Sequence, residues 1–363
     1  MAKKIFIAAT GQNCGKTTMS ISLMHLARRK YDRVGFIKPI GPKIERYGER
    51  MLDMDAVLMA RTYGLEADID LMNPVPLHRN FTREFLDGKI DGNDLREKIV
   101  TSIRKLEAKN DFLIIEGAGH GGVGSVIGLN NAFVAHLVGA PVMIVTGSGI
   151  GNVIDSVHLN LALHQREQAD VRLILVNKLL QDKRDITTRY LQQAFNSSKV
   201  TVSGGFNYSP ILANPTLAHI AKLLKLPIHG DQKGHNRIIH HIQLGAASSQ
   251  KVVDGLLDST LLIVTSSRDE LIVTLSSLYN IPAWRDKIAG IVIAGHAPVS
   301  MISQQILDRS TIPYIRIEET TANVFTALSE DVSKITAEDQ EKLAWIQANA
   351  EHDIDFETID RIL

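Results

Sequence analysis

Apolar residues along this chain recur in short, nearly unbroken runs: KIFIAA (residues 4–9), VGFIKPI (34–40), FLIIE (112–116), PVMIVT (141–146) and RLILVN (172–177). Runs without an alternating polar partner mark parallel strands that are covered on both faces. Between them, apolar positions return with a helical period over residues 17–30, 53–63, 95–108, 152–164 and 185–195. Strand and helix in alternation predict an open, mainly parallel α/β sheet with helices on both faces. A turn-rich passage follows, with Gly204, Gly205, Pro210 and Pro215, and a helix over 216–224 runs into LPIHGDQKGHN. Its proline, glycines and charges read as a linker, which puts a domain boundary near Gly230.

The alternation then restarts on a smaller scale. Strands are expected over 238–244, 261–265, 288–294 and 314–317, and helices over 249–257, 269–278, 300–308 and 321–329. The expected organisation is therefore a larger α/β domain over residues 1–230, a smaller α/β domain over 231–335 and a helical tail over 336–363.

Composition narrows the class. With 44% hydrophobic residues in 363, the chain has enough apolar material to bury a core, which excludes wholesale disorder. Forty Lys+Arg balance forty Asp+Glu, so no overall charge favours nucleic acid or an anionic membrane. A single cysteine, Cys14, excludes an intrachain disulfide and a cysteine-built metal cluster. The opening MAKKIFIAATG has too short an apolar run for a secretory signal. The long apolar region 133–154 is broken by His136, Asn152 and several glycines, so it does not read as a membrane span. These features lead to the expectation of a soluble cytoplasmic protein with neither nucleic-acid nor membrane partners.

The candidate chemistry starts where the first strand meets the first helix, in KIFIAAT-GQNCGKTT-MSISLMHLARR. A phosphate loop requires inward backbone N–H groups, a helix N-terminus behind them, a lysine for the phosphates and a hydroxyl for Mg²⁺. Gly11 and Gly15 would let the backbone approach the phosphate oxygens, Lys16 would reach the β- and γ-phosphates, and Thr17 would ligate the metal. Mg·ATP would thus sit on residues 11–18, which are Gly11, Gln12, Asn13, Cys14, Gly15, Lys16, Thr17 and Thr18. One departure from the usual spacing stands at Thr10, where a glycine is the norm. Cys14 reads as a small side chain filling the loop, although a helix N-terminus can also activate a thiol.

Further groups fall on strand ends of the same sheet. Glu116 closes a strand and is followed by GAGHGG, the place from which a carboxylate reaches Mg²⁺ directly or through water; Gly117 lets the chain leave the sheet there. Lys38 follows VGFI and points into the crevice at the carboxyl edge, where ligands of such sheets bind. Asp55 opens a helix and either caps it or reaches the metal. Asn177 is placed to read a base edge, and Leu180 stands where a guanine-reading aspartate would be, which favours ATP over GTP.

Together these residues resemble the dethiobiotin synthetase group of P-loop proteins. That group also contains the ATP domain of the cobyrinate amidases and the N-terminal domain of long phosphotransacetylases. The resemblance rests on ATGQNCGKTT, FIKPIGP, MDAVLMA, IIEGAGHGG, VTGSGIGNVIDSV, LVNK and FNYSPILANPTLAHIAKLL. It implies that Lys16 and Thr17 serve the phosphates, that Asp55 and Glu116 join Thr17 as Mg²⁺ partners, that Lys38 faces the substrate and that Asn177 lies at the adenine. It also implies a homo-oligomer, a dimer or larger. The second half, from IIHHIQLGAASSQ to IRIEETTANVF, is similar to a DRTGG-type domain, although the DRTGG string itself is missing. In phosphotransacetylases that pair precedes the acyltransferase domain, and the chain ending at Leu363 is not expected to have that activity by itself. The function expected is a Mg·ATP-dependent ligase-like enzyme acting on a small carboxylate or amine, with Lys16 and Lys38 as its catalytic lysines. The alternative is a nucleotide-sensing module with little turnover that acts through its second domain on a protein partner.

Overall fold

The apolar runs do form strands, and every pairing in the main sheet is parallel. The computed structural model describes residues 2–196, 198–331 and 333–363. In chain order the strands begin with β1 (Lys3–Ala9) and β2 (Val34–Ile37). Four short ones follow: β3 (Ile40–Gly41), β4 (Ile44–Tyr47), β5 (Arg50–Asp53) and β6 (Val75–Pro76). The main sheet is then completed by β7 (Phe112–Glu116), β8 (Val142–Thr146), β9 (Val171–Val176) and β10 (Thr201–Gly204). Its order is β10-β9-β8-β1-β7-β2, so β1 lies inside with β7 on one side and β8 on the other. Register pairs Ile7 of β1 with Glu116 of β7, which brings the end of β7 beside the loop that follows β1. A second sheet contains β11 (His241–Leu244), β12 (Thr260–Thr265), β13 (Ile288–Ala294) and β14 (Tyr314–Ile317), in that order and all parallel. Ile238 and Ile239, expected in the first of these strands, are buried but precede it.

The chain forms two compact units, and their limits differ from the domain limits expected above. The first is Met1–Ser209 together with Ile335–Leu363, and the second is Pro210–Lys334. The boundary moves from Gly230 back to Pro210 because the helix Leu217–Leu224 buries Leu217, Ile220 and Ala221. They pack with Ile239, Leu261, Ile263 and Val292 of the second core. The C-terminal residues are no separate tail either. The helix Gln340–Asp353 packs along the helix Lys16–Ala27 and buries Leu343, Ile346 and Ala350. The Lys16 helix is buried over nearly its whole surface, which requires a cover on the side away from the sheet.

The last helix, Phe356–Ile362, fastens this strap. Asp360 is 4% exposed, accepts from Tyr31 Oη at 2.6 Å, and pairs with Lys3 at 3.0 Å and Lys30 at 2.8 Å. Burial opposes its charge, but the hydrogen bonds from Lys30, Tyr31 and Lys3 outweigh that and hold its pKa at about 2. Among the described residues no helix is long and apolar enough to cross a membrane.

Candidate functional site

The loop after β1 turns through two left-handed residues, Asn13 (φ 58°) and Gly15 (φ 102°), before the Lys16 helix begins. A β-carbon at Gly15 would come within 2.2 Å of Asn177 Nδ2, so backbone conformation and space both demand glycine there. The Lys16 helix has no side-chain cap and no acidic residue in its first turn. Its N–H groups and positive dipole end are therefore left for an anionic ligand. Gln12 and Asn13 are exposed, Gly11, Cys14, Gly15 and Thr17 are half-buried, and Thr18 is turned inward at 7% exposure. Cys14 Sγ makes only long contacts, 3.7 Å to Thr10 Oγ1 and 3.8 Å to the Gln12 carbonyl.

Lys16 is 8% exposed and donates to the Gly119 carbonyl. Burial, with the nearby charge of Lys38, lowers its pKa from 10.5 to about 8, against the opposing pull of Glu116 and Asp55. A polyphosphate binds the charged form. Below pH 8 the lysine is already protonated; above pH 8, binding must take up a proton. Nucleotide affinity is therefore expected to be flat near pH 7 and to fall by up to tenfold per pH unit above about 8. Calorimetry in buffers of different ionisation enthalpy should show proton uptake approaching one near pH 9, and a flat profile from pH 7 to 10 would refute this.

The carboxylates converge on the same spot. Asp53 caps the helix Met54–Tyr63 by accepting from the Asp55 N–H, and this frees the Asp55 side chain from the capping role that its position suggested. Asp55 Oδ1 lies 3.2 Å from Thr17 Oγ1, and Glu116 Oε1 lies 3.3 Å from the same hydroxyl. Lys38 Nζ stands between the two acids, 2.7 Å from Asp55 Oδ2 and 2.7 Å from Glu116 Oε1. It is 3% exposed. Burial works against its charge, but Asp55, Glu116 and Asp53 outweigh it and hold Lys38 well above the ordinary lysine value. The sequence placed Lys38 in the crevice at the carboxyl edge; in the ligand-free protein its ammonium lies against the carboxylates there, because a buried charge needs close partners.

One hydroxyl and two carboxylates sharing a corner are hard oxygen donors, which fit Mg²⁺. Among the described residues there is no group of three or more His, Cys, Asp or Glu fit to hold a metal.

Asn177, expected at a base edge, has two partners within the protein. It is 3% exposed, its Nδ2 donates to the Cys14 carbonyl at 2.9 Å, and its Oδ1 accepts from the Phe206 N–H at 3.0 Å. The amide is thus engaged in bracing the phosphate loop. Gly117 directly follows β7, and a β-carbon there would meet Asn131 Oδ1 at 2.8 Å and Phe6 Cε1 at 2.9 Å. Sequence reasoning missed Asn131, which donates to the Ala118 and His120 carbonyls and accepts from the Ala118 N–H, fixing the loop after Glu116. It also missed Ser20, which is fully buried and donates to Glu116 Oε2 at 2.6 Å. Ser20 lies one helical turn beyond Lys16, a spacing that could have marked it as facing the same strand end.

A family model described as an AAA domain matches residues 3–227. Among curated relatives, phosphate acetyltransferase from Pseudomonas putida is 25% identical over 288 residues, covering 76% of this chain and 40% of that protein. ATP-dependent dethiobiotin synthetase from Methanocaldococcus jannaschii is 32% identical over 119 residues, covering 32% of this chain and 52% of that protein. Cobyric acid synthase from Pelotomaculum thermopropionicum is 30% identical over 206 residues, covering 50% of this chain and 39% of that protein. The chain thus spans about half, or less, of the length of these relatives.

Proposed function

Because the chain belongs to the AAA domain family over residues 3–227, we propose that it binds Mg·ATP on residues 11–18 and passes the γ-phosphoryl group to a small carboxylate or carbamate. The activated oxygen would then be displaced by an amine. Relatives named as dethiobiotin synthetase and cobyric acid synthase support a ligase of this kind. The observation that carries the reading is the second buried lysine. Lys16 stands at the start of the phosphate-loop helix, and Lys38, 2.7 Å from both carboxylates, is a second cation at the same edge that would turn to an anionic acceptor once Mg²⁺ takes its place between the acids.

In this reading Lys16 and the helix N-terminus hold and orient the phosphates. Thr17, Asp55 and Glu116 hold the magnesium, which when bound neutralises charge on the transferring group. Lys38 moves its hydrogen bonds toward the acceptor oxygen, and Ser20 and Asn131 keep Glu116 and the following loop in place. The reading includes self-association, supported by Ile150 and Leu159, 38% and 76% exposed beside and on the helix Gly151–Arg166.

The test is phosphate release from Mg·ATP with and without bicarbonate and a pool of small amines and carboxylates. Stimulated release is expected, and Glu116→Gln and Asp55→Asn should each raise the magnesium needed for half-maximal rate by about 10- to 100-fold. ATP binding with no stimulation by any pool member would sink the ligase reading.

A further inference from the structure

The C-terminal strap does more than cover the Lys16 helix. Trp345, half-buried on the helix Gln340–Asp353, packs its ring on Phe206 with centroids 5.8 Å apart. Phe206 is 1% exposed, and its N–H is the donor that holds Asn177 Oδ1 at 3.0 Å. Asn177 in turn holds the Cys14 carbonyl at 2.9 Å. This amide is wedged between two glycines, since a β-carbon would fall 2.2 Å from it at Gly15 and 3.2 Å from it at Gly205. The chain of contacts from strap to loop has no slack: an aromatic pair, a backbone N–H, one buried amide and the loop carbonyl.

We infer that Trp345 is a positioning residue for the phosphate loop, acting through Phe206 and Asn177, and that the C-terminal strap is thereby part of the nucleotide-binding machinery. The inference rests on the reading of residues 11–18 as the nucleotide site. Its physical content is that the Cys14–Gly15 peptide can point its N–H inward only while its carbonyl is held from behind. Asn177 can do so only while Phe206 keeps its place. Trp345 supplies the second wall of Phe206, and offset or tilted aromatic pairs at this separation are favourable beyond simple burial.

The chain has two tryptophans, Trp284 and Trp345, so a Trp284→Phe protein reports on Trp345 alone. That protein would be titrated with magnesium and a non-hydrolysable ATP analogue, following tryptophan emission and heat of binding in parallel. Emission should change and saturate with the calorimetric affinity, and Phe206→Leu should remove the emission change while heat of binding persists. In the parent background, Trp345→Ala should weaken analogue binding about three- to tenfold, and Trp345→Phe, which keeps a ring against Phe206, should restore it to within about twofold. Heat of binding with flat Trp345 emission, or Trp345→Ala binding as tightly as the parent, would overturn the inference and leave the nucleotide reading standing. No heat of binding in the parent would overturn both.

Discussion

Lys16→Ala is expected to lower Mg·ATP-dependent phosphate release by about 10²- to 10³-fold, the usual effect of removing one preorganised donor aimed at developing phosphoryl charge. The variant should nevertheless resist denaturant at least as well as the parent. Lys16 is 8% exposed with a pKa lowered to about 8, so its charged form is disfavoured by folding. The unfolded chain binds the extra proton between pH 8 and 10.5, and nucleotide-free protein should gain stability as pH rises through that window. Alanine removes the buried charge and its penalty together. Single-turnover phosphate release and urea midpoints on the same preparations check both halves. A variant that keeps its activity would refute the assignment of Lys16, and one that loses stability would show that the Gly119 contact outweighs desolvation.

Lys38→Met should show the reverse balance. Asp55 and Glu116, 4% and 0% exposed, would lose the ammonium that lies 2.7 Å from each. Breaking a buried pair by removing one partner costs about 3–5 kcal/mol, because the remaining charge has no water to return to. Lys38 is held above the lysine value of 10.5, so its stabilisation is complete below that value and is lost only as pH rises beyond it. In the parent the contribution of Lys38 is therefore complete at both pH 6 and pH 9. Millimolar Mg²⁺ should restore part of what the variant loses, since a divalent ion can take the place of the ammonium between the carboxylates. Urea midpoints at both pH values, with and without Mg²⁺, measure all of this. A midpoint equal to the parent's would remove Lys38 from its role as the site's internal counter-charge. In the ligand-free protein the two lysines are thus distinguished by physics: Lys16 is kept at a cost to stability, and Lys38 supplies stability to the acids.

Much of the site could be read from local sequence. Gly15, Lys16 and Thr17 lie together at a strand-to-helix turn, and the conformations they need follow from glycine chemistry and helix-end geometry. Glu116 could be placed because strand ends of a parallel sheet share one edge, and the register of β1 with β7 delivers it there. Asp55 was ambiguous for a local reason as well. Two carboxylates stand at the start of one helix, and only the structure shows that Asp53 takes the cap and leaves Asp55 for Thr17 and Lys38.

By itself, then, the sequence determined the parallel α/β layers, the phosphate loop and the residues that gather at its edge. Those depend on hydrophobic period and turn chemistry, which act over a few residues. The tertiary structure alone decided that Asn177 braces the loop, that Lys38 turns inward, that the helix Leu217–Leu224 belongs to the second core and that the last residues return to cover the Lys16 helix. In each case a buried polar group or an uncovered apolar face must find its partner, and the partner lies tens to hundreds of residues away. Local pattern states that such a partner is needed, and only the closed chain selects which one meets the need.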